Sequence, residues 1–383
     1  MKNVEIVIGA NYGDEGKGLM TRYFATQEKN SIVVFHNGSA QRGHTIDYDD
    51  GLRHVYHHFG SATGDGVPTY FAETFLIHPQ EYEREYHELV DKGIFPKTYC
   101  HRFARIITPF DMLVDHITEN YIAEKTNKRE YGSCGYGTWC ATDRLRINYN
   151  SIYSVNDYNL VTDYTPLLEE TAKDCLSILG YRNVPLKRIP KKYKEYFLKK
   201  EKRDLVIKRF IKTLNLFFSH TMIVSDFNGI YRKFSNIVFE NGQGLGLDQN
   251  VDNEWHTTSN TGILNPYTML KNKDDFSAKV CYVSRTYETR HGDGPILQEV
   301  NKEIINPKIF DKTNIFNDFQ GGLRFGILNL EEQDKRIDKD FSILNSDERF
   351  VKEKAFTHVN ELEIINMQAN YMSDNPYEVV RVI

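Results

Sequence analysis

Apolar and polar positions alternate over Val4-Glu5-Ile6-Val7-Ile8-Gly9, which predicts a strand, and the run empties into a polar, glycine-rich stretch. Ser31-Ile32-Val33-Val34-Phe35 predicts a second, buried strand that also ends in polar residues, and Ile237-Val238-Phe239 repeats the pattern later. Strands that each open into a polar loop predict an α/β fold with a central, mostly parallel sheet flanked by helices. In such sheets ligands lie beyond the carboxyl ends of the strands. Residues 148–234 have a different texture. The basic run from Leu186 to Lys200 and the partly amphipathic Leu205-Val206-Ile207-Lys208-Arg209-Phe210-Ile211 predict solvated helical faces. No internal repeat and no glycine/proline/serine-rich linker interrupts the pattern, so residues 1–383 read as one domain.

Composition narrows the partners. A net charge of −5 over 383 residues carries no global nucleic-acid signal. The basic run is interleaved with Tyr193, Tyr196 and Phe197, but no base-reading motif accompanies it, so no nucleic-acid partner is expected. No apolar run reaches the roughly 18 residues of a membrane span, and Met1-Lys2-Asn3-Val4 passes straight into a strand, which predicts a cytoplasmic protein without a membrane partner. The 5 cysteines form no C-x-x-C pair and are odd in number, which argues against a disulfide framework and a zinc site.

The loops carry the chemistry. Gly13-Asp14-Glu15-Gly16-Lys17-Gly18 follows the first strand, and Leu19-Met20-Thr21-Arg22-Tyr23-Phe24 can open a helix behind it. Glycines let backbone N–H groups face phosphate oxygens, Lys17 adds positive charge, and a helix N-terminus favours an anion. The spacing is not that of a Walker A motif. Asp14 stands inside the loop, where a metal or a substrate proton can use it. The second strand ends in His36-Asn37-Gly38-Ser39-Ala40-Gln41-Arg42-Gly43-His44-Thr45, which would face the same crevice.

The pairing of Gly13-Asp14-Glu15-Gly16-Lys17-Gly18 with Gly43-His44-Thr45 resembles the adenylosuccinate synthetase family, whose hallmark is a G-D-E-G-K-G loop followed by G-H-T. Further matches follow in the family order. Gly132-Ser133-Cys134-Gly135-Tyr136-Gly137 is similar to the S/T-T-G-x-G turn that holds the nucleotide monophosphate, with Cys134 in place of threonine. Glu240-Asn241-Gly242-Gln243-Gly244-Leu245-Gly246-Leu247-Asp248 resembles E-G-A-Q-G-x-x-L-D, Thr257-Thr258-Ser259-Asn260-Thr261 resembles T-S-S-N-T, and Thr289-Arg290-His291-Gly292-Asp293-Gly294-Pro295 matches T-R-V-G-x-G-P.

The resemblance implies a two-step ligation. An aspartate, here Asp14, removes the proton from purine N1; the 6-oxygen attacks the γ-phosphate of a nucleoside triphosphate; L-aspartate then displaces the 6-phosphate. It makes His44 the donor to the bridging oxygen, Lys17 a stabiliser of the transferring phosphoryl group, and Gln243 the contact to the 6-oxygen. It assigns Gly13, Glu15, Gly16, Gly18, Gly43, Thr45, His358, Asn360, Ser373, Asn375 and Pro376 to the triphosphate donor, with Lys17 and His44. Gln41, Ser133, Cys134, Arg144 and Thr257 go to the purine monophosphate with Asp14 and Gln243. Mg²⁺ is implied on Asp14 and Gly43, and residues 148–234 are implied to be a helical subregion that helps form a homodimer.

Two departures bear on substrate. Where the family grips L-aspartate with a run of arginines, this chain has Thr313, Asn314, Asn317 and Gln320 as neutral donors and acceptors, with Arg324 left as a bidentate carboxylate partner. The family's T-K-L-D, whose aspartate accepts from guanine, becomes Thr357-His358-Val359-Asn360, and an amide can pair with adenine N1 and its 6-amino group. These departures resemble the phage 2-aminoadenylosuccinate synthetases, which join dGMP to L-aspartate, usually with ATP. Several of those replace the loop aspartate with serine, whereas Asp14 is kept here, so IMP with GTP stays an alternative. A catalytically inactive nucleotide-binding relative is the alternative of another class.

Overall fold

The computed structural model describes residues 1–126, 135–147, 152–249, 260–314, 321–362 and 367–382. Ten strands form the main sheet: β1 (Lys2–Gly9), β2 (Ser31–Phe35), β3 (Thr69–Phe71), β4 (Thr98–His101), β5 (Thr221–Val224), β6 (Asn236–Gly244), β7 (Phe276–Arg285), β8 (Phe350–Thr357), β9 (Tyr371–Ser373) and β10 (Val380–Arg381). Their order is β10-β9-β8-β7-β1-β6-β2-β3-β4-β5, and every neighbouring pair is parallel except β9 with β10. The α/β expectation therefore holds.

Both faces of the sheet are buried. Val4, Ile6 and Ile8 pack on one face with Ile32, Val34, Phe239, Val280 and Tyr282. Val7, Val33, Val238, Cys281 and Val283 pack on the other. A parallel sheet covered on two sides needs nearly continuous apolar strands, which explains the runs in β2 and β6. Glu5, the polar member of the β1 pattern, is buried as well: Lys279 lies 3.0 Å away, and burial pushes the carboxyl up to about 7.

Residues 152–234 contain the helices Val155–Asn159, Thr165–Tyr181, Lys191–Leu198, Lys200–His220 and Phe227–Lys233, and also β5, the outer strand of the sheet. The helix Lys200–His220 buries Ile207, Phe210, Leu214 and Phe217, one side of the amphipathic pattern. The four described cysteines are free and buried. Among the described residues no helix is long and apolar enough to cross a membrane.

Candidate active site

The carboxyl ends of β1, β2, β6, β7, β8 and β9 bring the singled-out loops to one edge of the sheet. After β1 the chain turns through Asp14 at φ 57° and Gly16 at φ 87° before the helix Lys17–Thr26. Gly16 is required twice over, by its left-handed backbone and because a Cβ there would lie 2.6 Å from Thr357 Cγ2. Neighbouring strands hold the loop. Thr357 donates to the Glu15 carbonyl at 3.1 Å, Thr289 to the Gly13 carbonyl at 3.1 Å, and Arg285 Nε to the Asp14 carbonyl. The Glu15 side chain points inward, accepting from Asn11 N at 2.5 Å and standing 3.6 Å from Lys17 Nζ, and burial pushes its carboxyl up. Glu15 therefore braces the loop and Lys17, while the Asp14 side chain stays partly exposed.

His44 opens a short strand, His44–Asp47, paired with Arg53–Tyr56. Its Nδ1 donates to Glu240 at the end of β6, and Glu240 also accepts from the Ser61 N–H at 3.1 Å and the Ser61 hydroxyl. Burial works to raise the Glu240 pKa, but His44, Ser61 and Arg42 outweigh it and hold the carboxylate ionised. Burial pushes the His44 pKa down despite Glu240, and the Nδ1 proton is the one shared with Glu240. His44 Nε2 is buried with no hydrogen-bond partner in the protein, one of several such polar atoms of this wall with Glu15 Oε2, Asn11 Oδ1 and Asn37 Nδ2. Arg42, stacked 4.0 Å over Phe35, donates to the carbonyls of Asn37 at 2.6 Å and Glu240 at 3.0 Å, which ties the loop after β2 to β6. Gln41 Nε2 lies 3.5 Å from Gln243 Oε1, and Thr138 reaches Gln41 at 3.4 Å, so these amides and the start of the helix Thr138–Ile147 meet.

Two of the expected anion ligands have partners within the protein. Arg144 is buried and forks onto Asp111 at 2.8 and 2.9 Å. Arg324 forks onto Glu299 and donates to the carbonyls of Gly292 at 3.0 Å and Gly294 at 2.8 Å, so its carboxylate partner is internal. A guanidinium adjacent to an accessible protein carboxylate and two free carbonyls satisfies itself without a ligand. Thr313 does reach the first wall, 2.9 Å from Thr45 and 2.6 Å from Arg53. Ser133, Cys134, Thr257, Asn317 and Gln320 lie outside the described residues.

The ends of β8 and β9 form a separate rim. Val359 N donates to the Ser373 carbonyl at 3.2 Å, which joins His358 and Asn360 to the turn of Ser373, Asn375 and Pro376. His358, at φ 60°, is largely enclosed, and burial pushes its pKa down to about 3, so it is neutral where the family pattern has a lysine. Asn360 is exposed on this rim. Ser373 Oγ donates to the Asn375 carbonyl at 2.6 Å, and Asn375 Oδ1 accepts from Tyr377 and Glu378 at 2.9 Å. Sequence reasoning quoted Glu240 within its motif without a role and passed over Arg42 and Arg285. Glu240 and Arg285 reach His44 and the phosphate loop from strands far away in sequence, and Arg42 ties its own loop to β6; nothing in their spacing announces these contacts.

Comparison with known proteins agrees with this geometry. The adenylosuccinate synthetase family model matches residues 6–317. The adenylosuccinate synthetase of Limosilactobacillus fermentum is 25% identical over 307 residues, 78% of this chain and 66% of that protein; the Thermotoga maritima enzyme is 27% identical over 318 residues, 78% and 68%. The chain thus spans about two thirds of the length of these curated relatives. Among solved structures, fully ligated adenylosuccinate synthetase from Plasmodium falciparum superposes with a TM-score of 0.69 at 18% identity, covering 94% of this chain and 77% of that one. The cyanophage S-2L succinoaminodeoxyadenylate synthetase PurZ, bound to dGMP and dATP as an energy donor, gives 0.65 at 14% identity, covering 100% of this chain and 95% of that one. With a match running through most of its length and the loops gathered at one sheet edge, the chain belongs to the adenylosuccinate synthetase family.

Proposed function

We propose that this protein is a ligase that joins L-aspartate to C6 of a 6-oxopurine nucleotide, with dGMP as acceptor and ATP as donor. The observation that carries the reading is the gathering of Asp14, Lys17, His44 and Gln243 at one edge of the sheet, with Glu240 fixed behind His44. Asp14 takes the N1 proton, the 6-oxygen attacks the γ-phosphorus, and the nucleoside diphosphate leaves. The amine of L-aspartate then attacks C6 and expels phosphate. Lys17 and the loop N–H groups stabilise charge on the transferring phosphoryl group, the main contribution a protein makes to such a transition state. His44 is held by Glu240 so that Nε2 is the ring atom left for the ligand. Mg²⁺ fits the donor set of the Asp14 carboxylate and the Gly43 carbonyl, both hard oxygens, and when bound would neutralise phosphate charge.

The choice of dGMP and ATP is supported by the replacement of the arginine run, by Asn360 at the rim, and by the likeness to PurZ, which was bound to dGMP and dATP. Retention of Asp14 favours the second reading, IMP with GTP. A homodimer through the 148–234 subregion belongs to the same proposal and is supported by exposed Tyr181, Leu186, Leu198 and Leu205. The test is phosphate release with L-aspartate and each pairing of dGMP or IMP with ATP or GTP. Fastest release with dGMP and ATP is the expected result. Preference for IMP with GTP overturns the substrate assignment, and silence with every purine monophosphate indicates a non-catalytic relative.

A further inference from the structure

A closed ring of contacts ties the phosphate loop to the turn after Asp311. Arg285 Nε donates to the Asp14 carbonyl, and its Nη2 lies 3.1 Å from Asp311 Oδ2. Asn314 Nδ2 donates to the same Asp311 oxygen at 2.8 Å, while Asn314 Oδ1 is 2.9 Å from His291 Nε2. His291 Nε2 is in turn 3.5 Å from Asp14 Oδ2. Hydrogen-bond chemistry settles the direction. Burial tends to raise the Asp311 pKa, but Arg285 and the N–H groups of Asn314 and Thr313 bring it down to about 2, so Asp311 only accepts. The Asn314 amide must therefore turn its NH₂ to Asp311 and its oxygen to His291, which places a hydrogen on His291 Nε2. That N–H is shared with the Asn314 oxygen at 2.9 Å, and the Asp14 carboxylate lies 3.5 Å from the same nitrogen. The family pattern for this turn, T-R-V-G-x-G-P, has valine at this position, which cannot donate.

We propose that His291 is a positioning residue: its Nε2–H orients the Asp14 carboxylate and makes that orientation depend on the Asp311-to-Asn314 turn. The backbone of Asp14 is pinned by Arg285, but among the described residues His291 is the side chain found in ion-pair reach of its carboxylate. Thr313 of the same turn touches Thr45, so the contact joins the base to the wall that carries His44. The inference rests on the ligase reading and concerns its first half, N1 deprotonation with phosphoryl transfer.

Positional isotope exchange in γ-¹⁸O-labelled ATP, with acceptor monophosphate present and L-aspartate omitted, reports that half-reaction directly. His291→Val should slow exchange by about 10–100-fold, the usual cost of losing a group that orients a reacting side chain, with the ATP dissociation constant unchanged. His291→Gln, whose amide can donate from a similar place, should recover most of the rate. Asn314→Ala should resemble His291→Val, and the double variant should be no worse than either single one. Exchange in His291→Val at the wild-type rate, or His291→Gln as slow as His291→Val, overturns the proposal. Absence of exchange in the wild-type protein with every 6-oxopurine monophosphate, whether the labelled donor is ATP or GTP, overturns the ligase reading, and the inference with it.

Discussion

Around the ends of β1, β2 and β6 the charged side chains, Asp14 apart, are buried and locked to one another, whereas around the ends of β8 and β9 the amides Asn360 and Asn375 are more exposed or bond within their own turn. Lys17 is braced by Glu15, His44 by Glu240, and Glu240 by Ser61 and Arg42. On the rim, Asn360 is exposed and Asn375 caps its own turn. A wall of the first kind is preorganised for charge that develops during reaction, because its dipoles do not have to turn when that charge appears. A rim of the second kind can exchange one partner for another at little cost to folding, since surface changes away from special contacts move stability only slightly. On the proposed function, the buried wall would carry the chemistry and the rim the choice of donor base.

The comparison breaks first at Asp14. Asp14→Ala should lower turnover by at least about a hundredfold, the lower range for a positioned acid or base, and near-normal turnover in the purified variant would remove Asp14 from the reaction. His44→Asn should slow formation of the 6-phosphoryl intermediate by roughly tenfold to a hundredfold while leaving nucleotide affinity nearly intact. A raised Michaelis constant with unchanged turnover would move His44 from the wall's chemistry to simple binding.

The rim should respond differently. Asn360→Asp should weaken use of ATP relative to GTP by about 1–3 kcal/mol, read as the ratio of kcat/KM values, because adenine N1 would then face an acceptor. A ratio that does not move would separate Asn360 from the donor base. The smallest effect is expected at Arg324, whose guanidinium is already satisfied by Glu299, Gly292 and Gly294. Arg324→Ala should change the Michaelis constant for L-aspartate by less than about threefold, on the scale of a partly exposed ion pair. A large rise would show that the arginine leaves Glu299 when substrate arrives.

Much of the inner wall was legible before any coordinates. An apolar strand followed by Gly13-Asp14-Glu15-Gly16-Lys17-Gly18 has few uses, since left-handed turns and backbone approach to an anion both demand glycine. The runs of β1, β2 and β6 announced a parallel sheet because burial on both faces leaves little room for polar residues. Legibility ends where a side chain has two uses. Arg144, given to the monophosphate by the family resemblance, and Arg324, read as a carboxylate partner, each fork onto a carboxylate of their own protein. Residue type cannot distinguish the two.

What the sequence by itself determined is local: the strands, the glycine turn, the order of the loops, and the chemistry each loop can offer. These follow from steric limits on φ and ψ and from the periodicity of burial, which act over a few residues. Only the tertiary structure decided the partners. It set Glu240 behind His44, turned Glu15 inward against Lys17, committed Arg144 to Asp111, and brought His291 to Asp14 through Asn314. Except for Glu15 and Lys17, which share one turn, those pairs join residues from different elements of the fold. Their geometry depends on strand order and register in the sheet, which no local rule for a short segment contains.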